Sequence, residues 1–190
     1  MPSKILTSAA YLDRLLSDFG VPTSLWGLGE AKKTQDLVKE ISEGESYLRI
    51  DADGVFRIVE IVKMFLYPPP HHPARDCLLM EVGQYFPDGR YRERNQHPAG
   101  KVKRGESPKD AFLREAKEEL KLDAFFEILA LPVLSESRPS KSYPGLPCLY
   151  IVHGFRAGVF GMENLCHHEE STITEEDGTK HIFKWEPKSR

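Results

Sequence analysis

The 190-residue chain has only three cysteines, Cys77, Cys148 and Cys166. They are odd in number, far apart, and form no C-x-x-C pair. This excludes a disulfide framework and a zinc knuckle and fits reduced thiols in an intracellular protein. There is no run of about eighteen apolar residues, which excludes a membrane-spanning helix. The opening MPSKILTSAAYLDRLL lacks a basic segment followed by an apolar one, so no secretory leader is expected and the cytosol is the default setting. An excess of either charge is also missing. The chain has 26 Lys and Arg against 29 Asp and Glu, a formal net charge of −3. Such a balance argues against non-specific coating of nucleic acid but leaves room for a local basic groove. Internal repeats and low-complexity tracts are absent. Tryptophan is scarce, and Trp26 and Trp185 read as packing residues.

What is present is an ordinary globular mix, 40% apolar and 29% charged, long enough to bury a sizeable core. Residues 1–46 read as a helical extension. Ser8 is a possible N-cap, Leu12, Leu15, Leu16 and Phe19 follow at helical spacing, and Gly20 is a stop. A second short helix is expected near 34–43. From Tyr47 the period changes to that of strands. YLRIDADGVFRIVEIVKMFLY reads as strand, turn at Asp53-Gly54, and long strand. PPPHHPARD is a loop, since three prolines cannot continue a ladder. CLLMEVGQYF is a strand closed by a turn at PDGR, and YRERNQHPAG is a short extended segment. A helix at 108–120 follows, then strand-like AFFEILALPVLSE, the loop SRPSKSYPGLP, and strands in CLYIVHGFRAGV and HIFKWEP. Many strands around one clear helix predict an α+β fold. The expected organisation is an extension over 1–46 and one domain over 47–190.

The helix at 108–120 carries the densest chemistry. Ser107 suits its N-cap, Pro108 its first position, and Asp110 closes an acidic capping box. Phe112, Leu113, Ala116 and Leu120 form an apolar face. Glu115, Glu118 and Glu119, spaced by three and four, share another, flanked by Arg114. Like charges at this spacing destabilise a helix by a few tenths of a kcal/mol per pair. A solvated acidic face, softened by Lys117 and Lys121, is one reading. A carboxylate cradle for a hard cation such as Mg²⁺ or Mn²⁺ is the other.

The stretch GKVKRGESPKDAFLREAKEELKL, residues 100–122, resembles the Nudix box, G-x5-E-x7-R-E-U-x-E-E-x-G-U with U bulky and aliphatic. Gly100, Glu106, Arg114, Glu115, Glu118 and Glu119 fill its first glycine position and all its charged positions. Ala116 stands where a larger aliphatic is usual. Lys121 stands where the family has glycine, often in a left-handed turn that a β-carbon resists by about 1 kcal/mol. The resemblance implies a mixed sheet packed between helices and a hydrolase of the Nudix (MutT-like) kind. Such enzymes split diphosphates joined to another group, typically nucleoside diphosphate derivatives, with Mg²⁺ or Mn²⁺. Carried over by position, Glu118 and Glu119 would be core metal ligands, and Glu115 a further ligand or the general base. Glu106 would support the metal's water shell, and the carbonyl of Ala99 or Gly100 would reach the metal. Arg114 would orient the carboxylates with its planar fork. A later glutamate is the base in many members, and Glu169, Glu170, Glu175 and Glu176 are candidates.

Substrate signals are thinner. Arg90, Arg92 and Arg94 alternate, and Lys101 and Lys103 repeat that spacing. They form either a phosphate-binding stripe, with Arg92, Arg94 and Lys103 foremost, or a charge-protected edge strand. Tyr143 either stacks a base or sits in an ordinary polar loop. No marker of a particular substrate is evident, and a capped or triphosphorylated RNA end stays open. The pairs His71-His72 and His167-His168 read as solvent-exposed. LWGLGE lacks the third glycine of a dinucleotide fingerprint. A Nudix-fold binding module without turnover is the alternative, although it would be expected to have lost one of the three helix glutamates. The family usually adds a helix after the strand that here reads HIFKWEP. The helix near 8–19 or 34–43 is expected to cover that sheet face instead.

Overall fold

The computed structural model describes residues 8–160, 170–175 and 177–187. Helices and strands mix in the α+β manner that the sequence predicts. Contacts divide the chain into two compact units. The first comprises Met1–Ile61, Lys101–Glu106 and Leu134–Val152, and the second Val62–Gly100, Ser107–Val133 and His153–Arg190.

In the first unit, α1 (Ala9–Asp18) buries Leu12 and Leu16, and Ser8 precedes it without a side-chain capping bond. A 3₁₀ turn at Thr23–Leu25 leads to α2 (Thr34–Ser42), whose start is fixed where the Lys33 N–H donates to the Asp36 carboxylate at 2.8 Å. Strand β1 (Tyr47–Asp51) pairs antiparallel with the start of β2 (Gly54–Tyr67) across the Asp53-Gly54 turn. Strand β7 (Leu134–Pro139) pairs antiparallel with the start of β8 (Pro147–Val159). The apolar faces of α1 and α2 meet in one cluster of Leu12, Leu16, Val21, Trp26, Leu37, Val55, Tyr143 and Leu146. Each large apolar side chain there contributes about 1.5–3 kcal/mol by leaving water. The helices at 8–19 and 34–43 thus pack onto Val55 of β2 and the loop after β7.

Tyr143 answers the question its loop raised. It is fully buried, 5.0 Å between ring centroids from Trp26, with the Arg57 guanidinium 5.1 Å over its ring. Neither base stacking nor a polar surface loop describes it. Arg57 is itself buried and donates to buried Glu40 at 2.5 Å. Lys32 and Lys101 also reach Glu40, at 2.8 and 3.3 Å.

In the second unit, β3 (Cys77–Tyr85) is central to a four-stranded sheet ordered β4-β3-β10-β9, with β4 at Tyr91–Gln96, β9 at Ser171–Thr174 and β10 at Lys180–Pro187. The β3–β4, β3–β10 and β9–β10 pairings are antiparallel, with bulges at Glu81/Gly83 and Ile182/Phe183. The stretch expected as one strand after the helix is two: β6 (Phe125–Ala130) pairs with the end of β8, and β7 begins after a break. Helix α3 (Pro108–Leu120) has the bounds its sequence predicts. It buries Ala111, Phe112, Ala116 and Leu120, and the Phe112 ring lies 5.2 Å from Phe125 and 5.1 Å from Phe155. Leu113 is not part of that face. It is 36% exposed, because a step of about 100° from Phe112 turns it off the stripe. Trp185 is buried, as expected of a packing residue.

Candidate active site

The site is built on α3. The Ser107 hydroxyl oxygen accepts the Asp110 N–H at 3.1 Å, so the first turn is capped as the sequence predicts. At the other end Lys121 takes the left-handed conformation, φ 57°, and the Leu122 N–H donates to the Ala116 carbonyl at 3.0 Å. The exit turn that glycine usually makes is formed, with a lysine under strain. Lys121→Gly is therefore expected to stabilise the protein by up to about 1 kcal/mol, even though the Lys121 Nζ bond to the Glu118 carbonyl, 2.8 Å, is lost. Urea unfolding of the two proteins measures this directly.

Glu115 is buried and lies against the backbone of Gly100 at the start of the short strand β5 (Ala99–Lys101). A β-carbon at Gly100 would stand 2.0 Å from the Glu115 carboxyl carbon, so only glycine lets the carboxylate occupy that space. Arg114 Nη1 donates to Glu115 at 2.7 Å and to Glu118 at 3.1 Å. One planar guanidinium thus sets two of the three helix carboxylates. Glu118 is exposed, whereas Glu119 is half-buried. Burial pushes the Glu119 carboxyl up to about 9, reinforced by the neighbouring charges of Glu115, Glu175 and Glu81.

Glu81 and His181 escape a motif-based reading of the sequence. Glu81, on β3, is buried and accepts from Gln84 at 2.8 Å and from Arg94 at 3.0 Å. His181, on β10, is buried with Nδ1 2.7 Å from Glu81 Oε1 and Nε2 2.9 Å from Glu175 Oε1. Burial drives Glu81 upward, but the His181 hydrogen bond and Arg94 outweigh it and hold the carboxyl below its usual range. Burial drives His181 downward, and the bond to Glu81 with the charges of Glu81 and Glu175 reverses that, raising it overall. Burial raises Glu175, with Asp177 and Glu115 adding to the rise and His181 opposing it. The available signal was a glutamate inside the apolar strand CLLMEVGQYF and a histidine heading HIFKW. A buried charge in a strand needs a partner.

The other expected residues are distributed as follows. Arg94 is engaged with Glu81, Arg92 is half-buried beside it on alternate positions of β4, and Arg90 pairs with Asp88 in the turn at 2.7 Å. Glu106 and Lys103 lie in the first unit, where the Lys103 N–H donates to the Glu106 carboxylate at 3.0 Å. Lys101 there pairs with Glu45 at 2.6 Å. Of the later glutamates, Glu170 is exposed and Glu175 faces the cluster, while Glu169 and Glu176 lie outside the described residues, as do His167 and His168. Among the described residues no three His, Cys, Asp or Glu side chains converge on one point as a ready-made cage. Arg114 holds Glu115 and Glu118 to itself.

A family model for the NUDIX domain matches residues 63–186, more than half of the chain. The chain belongs to the Nudix family. Among solved structures it is similar to the MutT protein of Bacillus halodurans, at 16% identity and TM-score 0.40 over 68% of each chain. It is also similar to the E. coli dihydroneopterin triphosphate pyrophosphohydrolase, at 19% identity and TM-score 0.43, over 66% of this chain and 78% of that one. An Ap4A hydrolase of C. elegans, solved as a binary complex, matches at 16% identity and TM-score 0.35, over 68% of this chain and 80% of that one. No curated protein matches the chain. Among the described residues no helix is long and apolar enough to cross a membrane.

Proposed function

We propose that this chain is a divalent-metal-dependent hydrolase that cleaves the diphosphate linkage of a nucleoside diphosphate derivative or a similar pyrophosphate compound. The observation that carries the reading is the seating of Glu119 among Glu115, Glu175 and Glu81, with Glu115 pressed onto Gly100. A carboxylate whose proton affinity is raised by burial and by neighbouring carboxylates is a donor that a hard cation satisfies. Glu115, Glu118 and Glu119 would hold Mg²⁺ or Mn²⁺, with the Gly100 carbonyl beside them and Glu106 supporting the water shell. When bound, the cation screens the diphosphate charge and lowers the pKa of water.

The chain's own groups supply the rest. Arg114 orients Glu115 and Glu118. Arg92 and, by its place in the sequence, Lys103 are the candidates for the substrate's phosphates, while Arg94 steadies Glu81. Glu175 is the later-loop glutamate best placed as general base. It takes the proton from the attacking water, whose oxygen bonds to phosphorus as the bridging P–O bond breaks and its electron pair leaves with the second phosphate. Residues 1–46 are read as an extension to a domain starting at 47, and the cysteine pattern supports a cytosolic setting.

The test is a phosphate-release screen with ADP-ribose, NADH, diadenosine tetraphosphate and dGTP, each with Mg²⁺ or Mn²⁺ and with EDTA. Turnover of at least one compound, dependent on metal and lowered about 100-fold by Glu118→Gln, is expected. Full activity in Glu118→Gln would reject the metal assignment. Metal binding with no turnover of any compound would favour a binding module instead.

A further inference from the structure

We infer that His181 is a positioning residue of this hydrolase, locking Glu175 at a set distance from Glu81 and so aiming it as the base. The inference rests on the pyrophosphohydrolase reading and goes beyond the box, since His181 and Glu81 belong to neither its glycine nor its charged positions.

The geometry is specific. His181 lies on β10 between β3 and β9, opposite Gln84 on one side and Ile173 on the other. Its backbone is therefore committed to the sheet, and its ring lies parallel to Phe183, 6.1 Å away with 9° between planes. One ring nitrogen is 2.7 Å from Glu81 and the other 2.9 Å from Glu175. Glu81 cannot follow a displaced ring, because Gln84 and Arg94 hold it as well. Glu175 closes the β9–β10 turn, its N–H donating to the Thr179 carbonyl at 2.8 Å. The ring hydrogen-bonds Glu81 through Nδ1 and meets Glu175 through Nε2 in a close ion-pair contact, so an imidazole held between the two carboxylates limits their separation, as outer partners orient the ligands and bases they touch. The second nitrogen lies on the half-buried glutamate that faces Glu119 and Glu115.

The test is a double-mutant cycle on the full chain, with the substrate turned over fastest in the panel above. It compares wild type, Glu175→Gln, His181→Phe and the double variant. Expected is a kcat loss of about 10- to 100-fold in His181→Phe with KM within about twofold. The double variant should be no slower than Glu175→Gln alone, because a base already removed cannot be misaimed. Effects that multiply, a loss confined to KM, or full activity in Glu175→Gln would each overturn the inference. Where His181→Phe does not fold, His181→Gln, which keeps one donor, enters the same cycle with the same two outcomes. Glu118→Gln separates the two layers. Full activity there sinks the metal-site reading, whereas loss there with a multiplicative His181–Glu175 cycle sinks the His181 inference alone.

Discussion

Glu119→Gln is expected to reduce turnover by at least about 10³-fold and, in EDTA, to raise the melting temperature. Both effects come from one cause. Glu119 is half-buried, in hydrogen-bonding reach of Glu115 and repelled by Glu115, Glu175 and Glu81. Without a cation, an extra negative charge there opposes folding. The sign follows from the raised carboxyl. A group whose folded value lies near 9, above the usual 4.5, withdraws stability as pH rises from 4.5, and most of that is withdrawn by about 9. A neutral isostere removes the penalty. A gain on the order of 1 kcal/mol corresponds to about 2–4 °C for a protein of this size. With Mn²⁺ present the order should invert, since the wild type gains from binding and the variant loses a ligand. Differential scanning calorimetry with and without metal, beside steady-state kinetics, checks both halves. A variant that melts lower than wild type in EDTA would reject the repulsion argument.

Arg57→Ala is expected to lower stability by about 3–5 kcal/mol. Arg57 and Glu40 are both buried and joined at 2.5 Å, and Arg57 also reaches Cys148 Sγ at 3.6 Å and lies over Tyr143. Removing the arginine leaves a buried carboxylate with only the two lysines. Burial raises Glu40, but Arg57, Lys101 and Lys32 outweigh it and lower the carboxyl to about 2. The stability this depressed group contributes is therefore present above about pH 4.5 and lost as pH falls toward 2. Urea denaturation at pH 7 reads the first effect. The same measurement between pH 5 and pH 2 should show a flatter pH dependence in Glu40→Gln than in wild type. An Arg57→Ala loss below about 1 kcal/mol would mean the pair is not a buried keystone of the first unit.

Much of the candidate site was legible because its residues are local. The capping of Ser107, the shared face of Glu115, Glu118 and Glu119, and the Arg114 fork all follow from positions on one helix, where spacing dictates geometry. The left-handed turn at Lys121 was legible for the same reason, and its strain is seen in φ 57°. Less legible were outcomes set by distant segments. Arg94 reads as one member of a phosphate stripe or of a charged edge strand, and Glu81, thirteen residues earlier, claims it. Tyr143 read as a loop residue, and Trp26 with Arg57 bury it.

The sequence by itself determined the box, the shared helix face of its carboxylates, the α+β class and the bounds of α3, because those depend on periodicity and fixed spacing along one element. Only the tertiary structure decided which of several later glutamates faces the cluster, that Glu81 and His181 join it, and that Gly100 must lack a side chain. Each of these depends on strands far apart in the chain being brought into register, and a pairing register is set by the packing of whole faces, which no single stretch of sequence carries.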